Sequence, residues 1–192
     1  KDWSNDYKEI DIRNADDFFS NALSNALSNA ALYWWCADKR IGEIMQVWKK
    51  YNVLFHQTIV WVKPVATMTY SFYQIKHEPC LMGWLQGHKP NHDGDSSHAI
   101  TSVWELDWEG KSRIIGNEHP TQKPVEIFAR PMRKHTKPGD ICYEPFSGSR
   151  SQIIAGEKEG RRVFAMELSP VFVDVAGKRF ENFTGKKAEK AS

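Results

Sequence analysis

The sequence predicts an α/β fold, in which strands and helices alternate along the chain. Three observations support this prediction. Short apolar runs are bounded by Gly, Pro, Asn and Ser, which is typical of strands. Between these runs lie longer segments with apolar residues at helical spacing. Residues 141–168 have the complete pattern of a strand, a tight turn, a helix and a second strand.

The first half of the chain contains two predicted helices and three predicted strands. Asp16 and Asp17 suit a helix start, because negative side chains are stabilised near the positive end of the helix dipole. The continuous apolar run at 31–36 predicts a buried strand of a parallel sheet. The predicted elements are a helix at 16–30, a strand at 31–36, a helix at 38–51, and strands at 54–62 and 78–85.

Residues 86–118 have a different composition and are predicted to form an insertion. Gly, Pro, Asn, Asp and Ser are frequent there, which is typical of loops. Within the insertion, residues 103–108 alternate between apolar and charged side chains, with Trp104, Leu106 and Trp108 on one side. This alternation predicts a half-exposed strand.

The last third of the chain returns to alternating strands and helices. Pro131 is expected to kink the first of these helices, and Gly160 to end the second. The predicted elements are a helix at 124–134, a strand at 141–146, a helix at 151–158, a strand at 162–168 and a helix at 170–183.

Composition excludes some classes of protein and leaves others open. The 192 residues carry 26 Lys and Arg against 24 Asp and Glu, a net charge of +2, so charge alone does not indicate nucleic acid binding. The apolar runs are too short to span a bilayer, which predicts no membrane partner. Three widely spaced cysteines do not form a disulfide framework, which favours a reducing, cytoplasmic setting.

The sequence does not favour two further kinds of site, a zinc site and a cysteine nucleophile. The gaps between His77, Cys80, His88 and His92 do not match a zinc site, so no metal is predicted. Cys80 follows a proline, but its surroundings indicate a strand end, and a cysteine nucleophile is a poor match there.

The unit at 141–168 is the strongest candidate for a ligand site. Its first strand ends at Glu144 and turns through small residues into a helix, while Glu167 lies 19 residues beyond Gly148. Small residues let a ligand approach the backbone, and an acid about 20 residues on can accept hydrogen bonds from ribose hydroxyls. The turn has neither GxGxxG nor a lysine, which favours a nucleoside without phosphates. The alternative is that Glu167 binds no ligand and only caps the helix that begins after Ser169.

Three motifs resemble the C-terminal half of the β-class DNA amino-methyltransferases. They are HPTQKP at 119–124, EPFSGS at 144–149 and MELSP at 166–170, and the segments at 61–63 and 77–79 are similar as well. The resemblance implies a Rossmann-like class I methyltransferase sheet with helices on both faces. It also implies S-adenosylmethionine as cofactor, and double-stranded DNA with a flipped target base as partner, in a restriction-modification or phage setting.

The resemblance also assigns roles to positions of this chain. Glu144 is implied to bind the methionine amino group, and Glu167 the ribose. The methionine and sulfonium side is implied to contact Phe146, Ser147, Gly148 and Ser149. The methionine carboxylate end is implied to contact His119, Pro120, Thr121 and Lys123.

The same resemblance divides the chain by function. It implies a catalytic-side half at 1–85, a target-recognition insertion at 86–118, a cofactor-binding half at 119–184 and a flexible tail at 185–192. Within the insertion, DNA contacts are predicted for Lys89, His92, Lys111 and Arg113, with ordinary surface charge as the alternative for each.

Two departures from the family pattern change what is expected. Arg150 replaces the second glycine of the usual FxGxG turn, which predicts weaker cofactor binding because a cation near a sulfonium is unfavourable. No Pro-Pro pair occurs, so the catalytic tetrapeptide is expected upstream of Lys1 and no catalytic residue is assigned. Two strands are also expected upstream, which leaves a five-stranded sheet with a gap or an improvised pairing between 31–36 and 141–146. Poor solubility is expected from the exposed strand edges.

The predicted function is site-specific methylation of adenine N6 in DNA. Cytosine N4 is the alternative target atom, and methylation of RNA or a small molecule on the same scaffold is a second alternative. A third is an inactive fragment that binds DNA or the cofactor without turnover. The sequence makes no prediction of the oligomeric state.

Overall fold

A computed structural model of the chain describes residues 15–68, 70–92, 100–107, 123–148 and 150–189, without the side chains of Ala15 and Asp17. The described residues divide into two compact units. The N-terminal unit holds 15–91 and 100–106, and the C-terminal unit holds His92, Asp107 and the residues from Lys123 onward. None of the helices in these ranges is both long and apolar enough to cross a membrane.

The N-terminal unit is built on a four-stranded sheet with the order β1-β3-β2-β4. Its elements are α1 (Ala15–Asn25), β1 (Leu32–Trp35), a 3-10 turn (Asp38–Arg40), α2 (Ile41–Lys50), β2 (Val53–Thr67), β3 (Ile75–Leu85) and β4 (Val103–Glu105). β3 runs antiparallel to both β1 and β2, whereas β4 runs parallel to β2.

The prediction of a buried parallel strand at 31–36 is wrong on both counts. β1 pairs antiparallel with β3, with Trp34 opposite Leu81, and its residues are only partly buried. The physical reason is the β2–β3 hairpin, which returns β3 into the position beside β1. An apolar run shows that a strand is at least partly buried, but the direction of the neighbouring strand depends on residues that are 45 to 51 positions away in the hairpin.

Aromatic packing stabilises the core of this unit. Phe19 of α1 and Trp48 of α2 are buried together with Leu81 of β3. The Phe19 ring stacks on Trp34 with 4.9 Å between ring centroids. Gly83 lets Trp48 and the neighbouring strand approach closely, because a Cβ there would lie 2.7 Å from the Trp48 ring and 2.2 Å from the Leu54 carbonyl oxygen.

The C-terminal unit has a two-stranded parallel sheet flanked by helices. Its elements are α3 (Glu126–His135), β5 (Ile141–Glu144), α4 (Ser151–Glu159), β6 (Arg162–Ala165) and α5 (Pro170–Thr184). β5 and β6 are in register, with Glu144 opposite Ala165. Its buried core comes from α3 and α4 and consists of Val125, Ala129, Met132, Ile154 and Ala155.

The α/β fold class is confirmed, and β1 and β5 lie in different sheets, which agrees with the expected gap between 31–36 and 141–146. The expected count of five strands is exceeded by one, because the strand of the insertion also joins a sheet. The described strands form one sheet of four and one sheet of two. The predicted strand of the insertion is β4, which joins the larger sheet through β2. Its alternation is as predicted for the described residues, since Trp104 is buried and Glu105 is exposed, whereas Trp108 lies outside them. The functional division at 85, 118 and 184 stays a prediction.

Candidate functional site

The turn between β5 and α4, residues 145–150, contains the residues predicted to contact the methionine and sulfonium side of the cofactor. Two residues of this turn have left-handed backbone angles, Gly148 at φ 48° and Arg150 at φ 56°. The Arg150 amide donates to the Ser147 carbonyl at 2.7 Å, which closes the turn directly before α4 begins. The chain can therefore reverse within a few residues and present backbone groups at the carboxyl end of the sheet. Ser149 lies outside the described residues.

Glu167 holds this turn in place from the end of the neighbouring strand. One carboxylate oxygen accepts from the Gly148 amide at 2.8 Å, and the other accepts from the Ser169 amide at 2.9 Å. The second contact is the helix cap that the sequence left open as an alternative. The first shows that the acid also reaches the turn, so the two motifs meet at one edge of the sheet.

Glu144 lies at the same edge, at the end of β5 and opposite the end of β6, the strand that leads to Glu167. Its carboxylate oxygen Oε1 accepts from the Phe146 amide at 3.0 Å. Burial raises the pKa of Glu144, while the Phe146 amide and the charge of Lys123 oppose that rise. A partly buried carboxylate whose ionised form is disfavoured gains most from a cationic ligand.

Arg150 lies against this acidic edge rather than fully in solvent. Burial lowers the pKa of Arg150, and the charge of Glu167 opposes that change. Among the described residues, its buried Nε has no hydrogen-bond partner, and neither has the buried hydroxyl of Ser147. Arg150 thus places a cation in the turn at the position where the family that this sequence resembles has a glycine.

Ser151 was missed by the sequence analysis, although it connects the segment before α3 to the turn. Its side chain is buried, and its hydroxyl donates to the Lys123 carbonyl at 2.6 Å and accepts from Arg179 Nη1 at 2.9 Å. This links Lys123 to the first residue of α4 and to α5. A serine at a helix start directly after the turn is the signal that could have identified it.

Apolar side chains surround the same edge. Phe146, Met166 and Leu168 are all exposed, with Leu168 at 75%. The Tyr143 hydroxyl contacts the Met166 sulfur at 3.2 Å. Two carboxylates beside exposed apolar groups suit a ligand that has both a cationic or hydroxyl part and an apolar ring.

The remaining candidates are placed less completely. Lys89 is exposed in the N-terminal unit, and His92 is exposed with its ring 6.0 Å from that of His135. Lys111, Arg113, His119, Pro120 and Thr121 lie outside the described residues. Within the described ranges, no group of three or more His, Cys, Asp or Glu side chains is arranged to hold a metal ion.

Comparison with known proteins identifies a family. The family model described as DNA methylase matches residues 5–178. The type II methyltransferase M2.MboI of Moraxella bovis is 24% identical over 195 residues, covering 95% of this chain and 71% of that protein. M.HinfI of Haemophilus influenzae is 27% identical, over 73% of this chain and 42% of its own length. The chain thus spans less than half of M.HinfI.

Solved structures show the same fold. The complex of M1.HpyAVI with SAM superposes with a TM-score of 0.70 at 19% identity, covering 85% of this chain and 81% of that one. The cytosine-N4-specific PvuII DNA methyltransferase has a TM-score of 0.72 at 12% identity, covering 91% of this chain and 73% of that one. At these identities the likeness concerns the fold alone.

Proposed function

We propose, because this chain belongs to the DNA methylase family, that it binds S-adenosylmethionine at the carboxyl ends of β5 and β6 and serves the methylation of DNA. The observation that carries this proposal is the contact of Glu167 with the Gly148 amide. It places an acid, a glycine-containing turn and a second acid, Glu144, at one edge of a parallel sheet. Open α/β sheets bind their ligands at this edge.

The two carboxylates suit different parts of the cofactor. Each oxygen of Glu167 accepts one backbone N–H and retains a lone pair, because an ionised carboxylate offers about four acceptor sites. We infer that these lone pairs accept from the ribose hydroxyls. Glu144, whose ionised form is disfavoured by burial, would gain from the charged methionine amino group. Phe146 and the turn backbone at Ser147 and Gly148 would line the methionine side.

Lys123 and the segment before it are proposed to bind the methionine carboxylate. The charge of Lys123 lowers the pKa of Glu144, so the two groups are electrostatically coupled. Its carbonyl is fixed by Ser151. The proposal extends to His119, Pro120, Thr121 and Ser149 through the resemblance alone.

Adenine N6 is the proposed acceptor, since the amino-methyltransferases that this chain resembles favour it, and cytosine N4 is the second candidate. The second candidate is supported by the cytosine-N4-specific PvuII enzyme, which has the same fold. S-adenosylmethionine supplies an electrophilic methyl group to the exocyclic amine. The target base must leave the duplex first, which costs a few kcal/mol of unstacking. Residues 86–118, with Lys89, His92, Lys111 and Arg113, are the proposed DNA-reading segment.

Calorimetric titration with S-adenosylmethionine tests the binding site. Glu167→Gln keeps the size of the side chain but removes its charge, and we expect at least about tenfold weaker binding, because hydrogen bonds to charged groups contribute about 1.5–3 kcal/mol. Asp174→Asn is the matched control, since Asp174 is exposed on α5. No heat with the parent chain, or equal affinity of the Glu167→Gln variant, would contradict the proposal.

The same titration tests the role of Arg150. Arg150→Gly removes a cation beside the proposed sulfonium position, so we expect tighter binding of S-adenosylmethionine than in the parent. Unchanged affinity would refute this effect.

Digestion of DNA after incubation with labelled cofactor identifies the acceptor, and the assay is run both with this chain alone and with residues added before Lys1 that carry the catalytic tetrapeptide. N6-methyladenine supports the first candidate, and N4-methylcytosine the second. Tight DNA binding without any transfer favours the binding-module alternative.

A further inference from the structure

The tip of the β2–β3 hairpin, residues 68–74, exposes large apolar side chains in an otherwise well-packed unit. Exposed fractions are 92% for Met68, 114% for Tyr70, 104% for Phe72 and 88% for Tyr73. Thr69 of the tip lies outside the described residues. The last paired residues of the hairpin are Thr67 and Ile75, so these side chains project beyond the sheet.

Leaving these side chains in water is unfavourable, because an aromatic ring can bury about 150–250 Å². The same unit buries Trp48 and Trp61 to 1% exposure, so it does not lack an apolar interior. Contiguous exposed apolar patches of this kind mark interaction sites. The tip also has internal order, since the Ser71 hydroxyl donates to the Tyr73 carbonyl at 2.6 Å.

Charge indicates what kind of partner the tip fits. The chain contains no Asp or Glu between Glu43 and Glu78, a stretch that includes β2 and the tip of the hairpin. The same stretch contains four lysines. Lys63 pairs with Glu78 at 2.9 Å, whereas Lys76 is exposed next to the tip. A hairpin tip without acids, with a lysine beside exposed rings, is complementary to a polyanion that also offers flat apolar faces.

We propose that the hairpin tip is a nucleobase-stacking surface, in which Tyr70, Phe72 and Tyr73 pack on bases of DNA and Lys76 contacts a phosphate. Every base has a face on which an aromatic side chain can stack, and such contacts act without reading sequence. The polar Ser71 between two of the rings and Gln74 directly after the last ring favour a hydrated base stack over the interior of a lipid layer. The inference rests on the proposed function, because it takes DNA as the partner of this chain.

Fluorescence anisotropy with a labelled, unmethylated duplex tests the proposal. In the triple variant Tyr70→Ser, Phe72→Ser and Tyr73→Ser, we expect at least about fivefold weaker DNA binding for each stacked ring that is lost. Tyr70→Phe with Tyr73→Phe keeps the rings and should retain the parent affinity. Leu27→Ser, at another exposed apolar position, should have no effect.

Salt dependence separates the rings from the lysine. Lys76→Ala should reduce the slope of log K against log salt concentration by about 0.9, as expected for one lost phosphate contact on a duplex. The ring variant should lower affinity at every salt concentration with an unchanged slope. Lys39→Ala, at an exposed lysine of the 3-10 turn, is the matched control. A duplex with one mismatched pair, whose bases unstack more easily, should show the larger loss in the ring variant.

Calorimetry with S-adenosylmethionine on the same proteins keeps the two proposals distinguishable. If the parent binds the cofactor and DNA, and the ring variant binds DNA equally well, the stacking surface is refuted while the proposed function stands. If the parent binds no DNA, the stacking surface is refuted. In that case, the absence of heat on titration with S-adenosylmethionine would refute the proposed function as well. Loss of binding to phosphatidylglycerol vesicles, or loss of self-association in sedimentation, with unchanged DNA affinity would assign the tip to a membrane or to a second copy. Thermal unfolding near the parent's value shows that the variants fold.

Discussion

Replacing Arg150 by glycine is expected to stabilise the C-terminal unit. Arg150 has φ 56° and ψ 38°, the left-handed conformation, directly before α4. For an L-residue this conformation costs roughly 1–2 kcal/mol, because Cβ approaches the carbonyl oxygen. Glycine avoids that contact but loses roughly 0.5–1 kcal/mol more backbone entropy on folding. The difference predicts a net gain of about 0.5–1 kcal/mol in the free energy of unfolding.

The effect of removing the Arg150 side chain must be separated from the effect of relieving the strain in the Arg150 backbone. The charge of Glu167 favours Arg150, whereas burial disfavours it, and both effects disappear in any uncharged variant. Arg150→Ala therefore serves as the reference, because alanine loses the side chain but keeps the strained backbone. Urea denaturation followed by far-ultraviolet circular dichroism should place the Gly variant about 0.5–1 kcal/mol above the Ala variant.

A second left-handed residue provides an internal control. Asn52 has φ 57°, and asparagine tolerates this conformation better than other L-residues. Asn52→Gly should therefore gain less than Arg150→Gly gains over Arg150→Ala. Equal stability of the Arg150→Gly and Arg150→Ala proteins would refute the reasoning from backbone strain.

Three further substitutions test the site and the packing. Burial raises the pKa of Glu144 above its ordinary value of 4.5, so the folded chain binds a proton at Glu144 more tightly than the unfolded chain does. The free energy of unfolding therefore falls as pH rises from 4.5 through the raised pKa. Glu144→Gln should remove this loss, and stability curves that stay parallel to the parent's from pH 4.5 upward would contradict it. Ser151→Ala leaves the Lys123 carbonyl without its donor, and denaturation should show a loss of about 1–3 kcal/mol, against none for the exposed Ser20→Ala. Gly83→Ala places a Cβ 2.2 Å from the Leu54 carbonyl oxygen, so the thermal transition should fall clearly below that of Gly42→Ala, where a Cβ meets nothing within 4 Å.

The sequence predicted the local elements better than their arrangement. All six strands occur near their predicted positions, because apolar runs bounded by turn residues depend on neighbours in the chain. The direction of β1 was predicted wrongly, since it depends on the return of β3 from a distant hairpin. The pairing of β4 with β2 was likewise not predicted, because strand pairing is a long-range property that periodicity does not report.

The candidate site shows the same division. The turn and Glu167 could be paired from their spacing, since a parallel strand, a helix and a second strand bring the two strand ends together. Spacing could not predict the second hydrogen bond of Glu167 or the contacts of the buried Ser151, because both depend on side-chain geometry across elements. The exposed hairpin tip was also missed, as Tyr and Phe in a strand-like segment are usually half-buried.

Glu167 is held before any ligand arrives, and this has a consequence for binding. A free glutamate side chain loses up to about 1.5–2 kcal/mol of rotamer entropy when it is ordered. Here the amides of Gly148 and Ser169 already fix both oxygens, so that entropy is lost during folding and not on ligand association. Preorganisation of this kind favours a rigid receptor whose acceptor atoms move little when the ligand docks.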